Sequence, residues 1–142
     1  MPRITIDIPP TILFSTELKI RISDINYGGH LSNDAVLRLC HEVRLRWLTA
    51  HGLNETDIGN RGLIMADAAI QYAAQAFYGD RLNISLSAAD IGCSRFNLFY
   101  HIQSGTAHTT IAKIQTGMAC FNYQTQKISA LPREFKKLLE AI

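Results

Sequence analysis

A chain of 142 residues has the length of a single domain, and we predict one domain over residues 1–142. The formal charge of +2 is too small for a protein that binds nucleic acid through a basic surface. Charged residues make up 18% of the chain, below the roughly 25% typical of soluble domains, so we expect a partner to cover part of the surface.

The N-terminus and the cysteines indicate where the protein resides. Prolines and an aspartate interrupt residues 2–10, so we expect no signal peptide, and no stretch is long and apolar enough to span a membrane. Cys40, Cys93 and Cys120 are odd in number and form no Cys-x-x-Cys motif, which argues against a disulfide framework or a zinc site. The five histidines show no metal spacing. We therefore expect a soluble, cytoplasmic protein with free, buried thiols and no metal or cofactor.

The chain opens with two strand patterns. Alternating isoleucines over residues 4–8 predict at most a short edge strand, because Pro9 and Pro10 end the run. Apolar and charged residues then alternate strictly over residues 16–22, which predicts a strand with one buried face. This strand leads into a polar loop over residues 23–30.

One long helix follows the loop. Apolar residues recur at helical spacing from Asn33 or Asp34 to about His51. Ser32 or Asn33 is the predicted cap, because either side-chain oxygen can accept a hydrogen bond from the first turn. Gly52 is the predicted stop, since glycine adopts the left-handed conformation at little steric cost. The basic residues within the helix are predicted to form a solvated face: Arg38, Arg44 and Arg46.

Further strands and a second helix complete the pattern. Residues 63–74 are predicted to form a strand, with a helix as the alternative because alanine is frequent there. A turn follows at residues 77–80, Gly117 is a candidate for a bulge or a bend, and Pro132 opens a short amphipathic helix. The remaining predicted strands cover residues 81–88, 95–103 and 108–123. Short connections favour antiparallel pairing, so we predict an α+β domain whose sheet wraps the long helix and whose exposed edges favour dimerisation.

The polar loop is a candidate for chemistry. The glycines Gly28 and Gly29 allow backbone N–H groups to approach a ligand, and the following helix start adds unpaired donors. The Gly28, Gly29 and His30 backbone could therefore bind a carbonyl oxygen as it becomes an oxyanion. Polar side chains surround this point in the sequence: Asp24, Asn26, His30 and Asp34. The alternative is an ordinary turn before a helix.

Residues 23–33 resemble the signature of hotdog-fold acyl-CoA thioesterases of the 4-hydroxybenzoyl-CoA thioesterase type, Asp-x-Asp-x-x-Gly-His-x-Asn-Asn. Other segments resemble the family in the same order along the chain: Glu42-Val43-Arg44, Tyr78-Gly79-Asp80 and Ser94-Arg95-Phe96. The resemblance covers about residues 17–139. It implies a hotdog fold, a long central helix wrapped by an antiparallel β-sheet, and dimers that pair their sheets edge to edge, with dimer or tetramer left open. It also implies hydrolysis of acyl-CoA or acyl-carrier-protein thioesters without a metal, with coenzyme A entering only as part of the substrate.

The signature departs from the family at the catalytic position. The usual carboxylate is the second aspartate, and this position is Asn26 here. An asparagine amide takes up no proton near neutral pH, so it cannot act as a general base. The preferred hypothesis makes Asp34 the base that activates water, with Asn26 orienting water or the thioester carbonyl. Asp24 would fix the loop or, with the roles exchanged, act as the base, and His30 would donate to the substrate or close the loop.

Three residues outside the loop are candidates for substrate contact. Tyr72, Ser94 and Arg95 could line the side of the site that the partner subunit contributes, and Arg95 could meet a CoA phosphate. Two alternatives for the function stay open. One is a hydroxyacyl-thioester dehydratase on the same fold, with His30 and Asp34 as base and acid. The other is a non-catalytic acyl-thioester-binding protein, which Asn26 favours.

Overall fold

The computed structural model describes residues 3–141 and has an α+β architecture, as predicted. Its elements are β1 (Phe14–Lys19), α1 (Ala35–Ala50), β2 (Gly62–Tyr72), β3 (Arg81–Ala89), β4 (Arg95–Ser104), β5 (Thr110–Asn122), β6 (Lys127–Ile128) and α2 (Arg133–Leu139). The strands form an antiparallel sheet in the order β1-β3-β4-β5-β2, and β6 pairs with β5. The helical alternative for residues 63–74 is therefore wrong, and β1 and β2 are the two edges of the sheet.

Helix α1 packs its apolar face against the sheet, and α2 covers one end of the same core. Trp47 on α1 and Phe96 on β4 both contact Phe135 of α2, with ring centroids 5.8 Å apart in each pair. All three rings are at most 2% exposed, and burial of one such side chain contributes about 1.5–3 kcal/mol. The buried residues of α1 follow the predicted helical spacing: Ala35, Val36, Leu39, Cys40, Val43, Arg44, Trp47 and Leu48.

The start of α1 differs from the prediction. No side chain caps the helix, because Asp34 at the N-cap already has helical dihedral angles, φ −75° and ψ −24°. The Ser32 carbonyl accepts the Ala35 N–H at 3.1 Å, and the Ser32 hydroxyl donates to the Asp34 carboxylate. The predicted cap by Ser32 or Asn33 is therefore wrong. The stop at Gly52 is confirmed, with φ +71° and its N–H donating to the Thr49 carbonyl.

The predictions for residues 4–8 and for Gly117 are also corrected. Residues 4–8 form no strand, although Ile6 is buried and its N–H donates to Gln71 Oε1 at 3.0 Å. The bulge expected at Gly117 lies instead on the partner strand β2, between Met65 and Asp67. Gly117 lies opposite that bulge, and its N–H donates to Asp67 Oδ1 at 3.0 Å. Glycine is needed there, because a Cβ at residue 117 would overlap the Asp67 carboxylate.

No helix within residues 3–141 is long and apolar enough to cross a membrane. The three cysteines carry free thiols. Cys40 and Cys120 are buried, as expected, whereas Cys93 is exposed in the turn between β3 and β4.

Arg44 was expected on a solvated helix face, but it lies in the interior. Its Nε donates to Glu55 Oε2 at 3.0 Å and its Nη1 donates to the Tyr100 hydroxyl at 3.0 Å. His41 Nε2 lies 2.5 Å from the other Glu55 oxygen. Glu55 belongs to the loop between α1 and β2, so this cluster ties the loop to the helix. Burial acts to raise the pKa of Glu55, but Arg44 and His41 outweigh it and the pKa lies below its ordinary value.

Replacing Glu55 with glutamine should therefore destabilise the protein in a pH-dependent way. Near neutral pH we expect the free energy of unfolding to fall by about 1–2 kcal/mol, because the charge-assisted contacts are weakened. Since the native pKa of Glu55 is depressed, its contribution is complete above the ordinary value of about 4.3 and is lost as the pH falls through the native value.

Urea denaturation near neutral pH and at about pH 3 measures this difference. Glu134→Gln is the control, because Glu134 forms an exposed pair with Lys137 at 3.6 Å and should matter little at either pH. An equal loss for Glu55→Gln at both pH values would contradict an ionic role for Glu55.

Candidate active site

The polar loop before α1 is held closed by Asn26. Its side-chain Oδ1 accepts hydrogen bonds from the N–H groups of Gly28 at 2.9 Å and His30 at 3.2 Å. Its backbone carbonyl accepts the Gly29 N–H at 3.0 Å, and its own N–H donates to the His30 carbonyl at 2.9 Å. Gly29 has φ +83°, which the tight turn requires and glycine tolerates. Asn26 thus organises the turn over residues 26–30.

Asp24 lies beneath the loop, with a side chain that is 1% exposed. Its Oδ2 accepts the Arg21 N–H at 2.9 Å, and its backbone carbonyl accepts the Ser32 N–H at 2.9 Å. Water has little access to such a carboxylate, so this environment suits a residue that fixes the loop better than one that activates water.

A cavity of about 320 Å³ opens between the loop, the start of α1 and the end of β2. Its polar lining residues are Asn26, His30, Asn33, Tyr72 and Gln75. Its apolar walls include Leu31, Val36, Ile111 and Ala112. The Tyr72 hydroxyl donates to the Asn33 carbonyl at 3.0 Å, which ties the end of β2 to the start of α1. The His30 ring stacks edge-on against Phe77, with centroids 5.4 Å apart.

Asp34 stands beside this cavity rather than in its wall. Its side chain is 75% exposed, accepts a hydrogen bond from the Ser32 hydroxyl, and pairs with Arg38 Nη1 at 2.8 Å. The Ser32 hydrogen bond, followed by Arg38, holds the pKa of Asp34 below its usual value. Burial, and to a smaller degree the charge of Asp34, raises the pKa of Tyr72, so the carboxylate acts electrostatically on a residue of the cavity wall.

The oxyanion site expected at the loop backbone is not available in this geometry. The N–H groups of Gly28 and His30 donate to Asn26 Oδ1, and that of Gly29 donates to the Asn26 carbonyl. These bonds are internal, so the three amides cannot also bind a carbonyl oxygen without opening the loop. Asn26 Nδ2 is different, because it donates to no group within residues 3–141, and Asn26 is one of the residues that line the cavity. The first-turn N–H groups of α1 are the other donors at this end of the cavity.

Ser94 and Arg95 are not brought to the loop within one chain. Arg95 lines a separate cavity of about 190 Å³ together with Asp67 and Asp90, at the opposite end of the sheet. The Ser94 carbonyl accepts the Cys120 N–H at 2.9 Å, which is a turn contact. Of the three candidates outside the loop, only Tyr72 lines the cavity in the chain itself.

Sequence reasoning missed two residues of this region. Asn33 was considered only as a cap, yet its carbonyl accepts the Tyr72 hydroxyl and the residue lines the cavity. Arg38 lies on the solvated face to which it was assigned, but its ion pair with Asp34 was not predicted. The spacing of Asp34 and Arg38, four residues apart on a helix, is the signal that could have found this pair.

An antiparallel sheet packed on one long helix, with a polar loop and a cavity at the start of that helix, defines a hotdog-fold protein. The chain belongs to the thioesterase-like superfamily, whose family model matches residues 20–139. The prediction of a hotdog-fold acyl-CoA thioesterase is thereby confirmed.

Individual relatives agree with this family. The 1,4-dihydroxy-2-naphthoyl-CoA hydrolase of Synechocystis sp. is 27% identical over 126 residues, which cover 87% of this chain and 91% of the relative. The enzyme of the same name from Synechococcus elongatus is 30% identical over 125 residues, covering 85% and 90%. The crystal structure of a 1,4-dihydroxy-2-naphthoyl-CoA thioesterase from Synechocystis has a TM-score of 0.83 at 26% identity, and the match covers 91% of this chain and 96% of that one.

Proposed function

We propose that this thioesterase binds the acyl group of an acyl-CoA in the cavity at the start of α1 and hydrolyses the thioester at its rim. The observation that carries the proposal is the cavity itself, which joins apolar walls to Asn26, His30 and Tyr72 beside the carboxylate of Asp34. Because the relatives are named as 1,4-dihydroxy-2-naphthoyl-CoA hydrolases, a bicyclic aromatic acyl-CoA is the first substrate to test.

Asp34 is the proposed general base. It accepts a proton from a water molecule while the water oxygen attacks the thioester carbonyl carbon, and collapse of the tetrahedral intermediate breaks the carbon–sulfur bond. The proton on Asp34 passes to the leaving thiolate, which departs as the free thiol, and the acyl group leaves as the carboxylic acid. Ser32 and Arg38 keep Asp34 ionised at neutral pH, which a base requires.

Asn26 is the proposed donor to the developing oxyanion. Its Oδ1 is engaged by two backbone N–H groups, so the orientation of the Nδ2 amino group is fixed before the substrate binds. A donor held in advance stabilises transition-state charge without reorganisation. Val36 in the first turn of α1 also lines the cavity, so the positive end of the helix dipole adds to this stabilisation. His30 and Tyr72 would then position the acyl group.

The test is release of free thiol from a panel of aromatic and aliphatic acyl-CoAs. We expect turnover of at least one member, with an aromatic acyl group preferred. Acyl-carrier-protein thioesters belong in the same panel, since they present the same thioester. Tight acyl-CoA binding with no thiol release from any member would overturn the proposal and indicate a binding protein.

We also propose that the chain forms a homodimer through β2. This strand is a sheet edge of 11 residues whose middle is exposed and unprotected by lysine or proline. In an antiparallel β2–β2 pair, the start of the partner's strand lies beside Tyr72. That arrangement would bring the partner's Ser94 and Arg95 toward the cavity, since Arg95 is in register with Ala119 and Ala119 with Ile64.

Introducing lysine at both Ala66 and Ala68 should convert the dimer to a monomer, because charges at a paired edge are repelled and desolvated. Light scattering after size exclusion gives the mass directly. Ser15→Lys on the other edge strand β1 is the control and should leave the mass unchanged. A monomeric wild-type protein, or a double variant that stays dimeric, would contradict pairing through β2.

A cytoplasmic location completes the proposal. It is supported by three free thiols, one of them exposed, which suit a reducing compartment.

A further inference from the structure

Arg38 connects the proposed base to the loop that carries Asn26. It lies one helical turn after Asp34 on α1, with Nη1 2.8 Å from Asp34 Oδ2. Its Nη2 donates to the Ser23 carbonyl at 3.4 Å and lies 4.0 Å from Asp24 Oδ1. One guanidinium group therefore faces the helix residue Asp34 and two consecutive loop residues, Ser23 and Asp24.

The Asp24 carboxylate shows why a cation is needed at this point. Its Oδ1 is buried and has no hydrogen-bond partner among the described residues. A buried carboxylate oxygen without a partner is unfavourable, and a nearby positive charge offsets part of that cost. Arg21 contacts the other oxygen, Oδ2, at 3.5 Å, so Arg38 is the cation that faces Oδ1.

We propose that Arg38 is a positioning residue of the thioesterase, which fixes the distance and direction between the base Asp34 and the loop of Asn26. The inference rests on the proposed function and on Asp34 as the base. Arginine suits this task because its planar group presents N–H donors in several fixed directions, whereas a lysine ammonium acts as a single point charge. Without Arg38, the Ser32 hydroxyl would remain as the one hydrogen-bond partner of the exposed Asp34 carboxylate among the described residues, and nothing would connect that carboxylate to residues 23 and 24.

The consequence for catalysis is a geometry prepared before the substrate arrives. Water must lie between the Asp34 carboxylate and the carbonyl carbon while Asn26 Nδ2 meets the carbonyl oxygen. A displacement of about 1 Å in such an arrangement lowers the rate by up to about 100-fold. Arg38 also favours the ionised form of Asp34, so its removal should move the acid limb of the pH profile.

The test compares Arg38→Gln and Arg38→Lys with the wild type over the pH profile of kcat/KM. For Arg38→Gln we expect kcat to fall about 10- to 100-fold with KM little changed, and the acid limb to move to higher pH. Arg38→Lys should keep the acid limb near its wild-type position, because lysine keeps the positive charge. It should recover only part of kcat, because the lysine ammonium lacks the planar set of N–H donors that contacts both Asp34 and the loop. Arg46→Gln is the matched control, since Arg46 forms the same spacing of ion pair with Glu42 at 2.8 Å on this helix.

A double-mutant cycle separates positioning from general stability. In the Asp34→Asn background, Arg38→Gln should cause little further loss of kcat, because the group it positions is already inactive. Additive losses, or an Arg38→Gln profile that superimposes on the wild type, would overturn the inference while leaving the thioesterase intact. Full activity of Asp34→Asn would overturn it through the base assignment. A wild type that releases no thiol would instead mark failure of the proposed function.

Discussion

Replacing Asp34 with asparagine should lower kcat for thioester hydrolysis by about 10²–10⁴-fold, the contribution typical of a general base. The substitution keeps the size of the side chain and an oxygen that can accept from Arg38, so the start of α1 should stay folded. It removes only the ability to take a proton from water. Thiol release under saturating substrate measures kcat, and an unchanged melting temperature shows that the fold is intact.

The control for Asp34→Asn lies two turns further along the same helix. Glu42 is paired with Arg46 as Asp34 is paired with Arg38, at 2.8 Å in both cases, and it lies outside the cavity. Glu42→Gln should therefore leave kcat unchanged. If Asp24→Asn abolished turnover and Asp34→Asn did not, the buried Asp24 would be the base and the two roles would have to be exchanged.

The pH profile gives a second check on Asp34. Because the Ser32 hydroxyl and Arg38 hold the pKa of Asp34 below its usual value, the base should remain ionised well into the acid range. The acid limb of kcat/KM should thus fall below the ordinary aspartate value of about 3.9. From about pH 5 upward this group should impose no pH dependence on the rate.

Local patterns were sufficient for most of the fold. The helical spacing of α1 and the glycine stop at Gly52 are set by neighbouring residues, and the structure has both. Alternation also located the five longer strands, although residues 4–8 form no strand and the strand predicted over residues 16–22 ends at Lys19. The loop was also recognisable, because Asn and Gly residues close turns through contacts two to four residues away. Asn26 makes such contacts with Gly28 and His30.

The features that sequence reasoning missed depend on distant residues. Arg44 shares its helical spacing with exposed arginines, and its burial follows from partners 11 and 56 residues away, Glu55 and Tyr100. The loop amides looked available because glycine exposes them, and only the folded loop shows that Asn26 already accepts their hydrogen bonds. Tyr72 was predicted for the side of the site that the partner contributes, and its contact with Asn33, 39 residues away, places it at the cavity of its own chain.

Replacing Asn26 with aspartate should lower kcat by about 10²–10³-fold, which is the effect of removing one oxyanion donor. An aspartate has the same shape, and its carboxylate can still accept the N–H groups of Gly28 and His30, so the loop should keep its structure. The amino group, which is the proposed oxyanion donor, is replaced by a negatively charged oxygen, which repels a developing oxyanion. The melting temperature should remain close to that of the wild type.

Asn26→Ala separates the two functions of this side chain. Alanine removes the loop contacts as well as the donor, so both kcat and the melting temperature should fall, whereas Asn26→Asp should affect kcat alone. The direction of the change in Asn26→Asp is the decisive result. A faster Asn26→Asp enzyme would mean that a carboxylate here acts as a base, as the family signature implies, and that Asn26 is not an oxyanion donor. A slower one would support Asn26 as a donor to the oxyanion, and the base assignment would then rest on the separate result for Asp34→Asn.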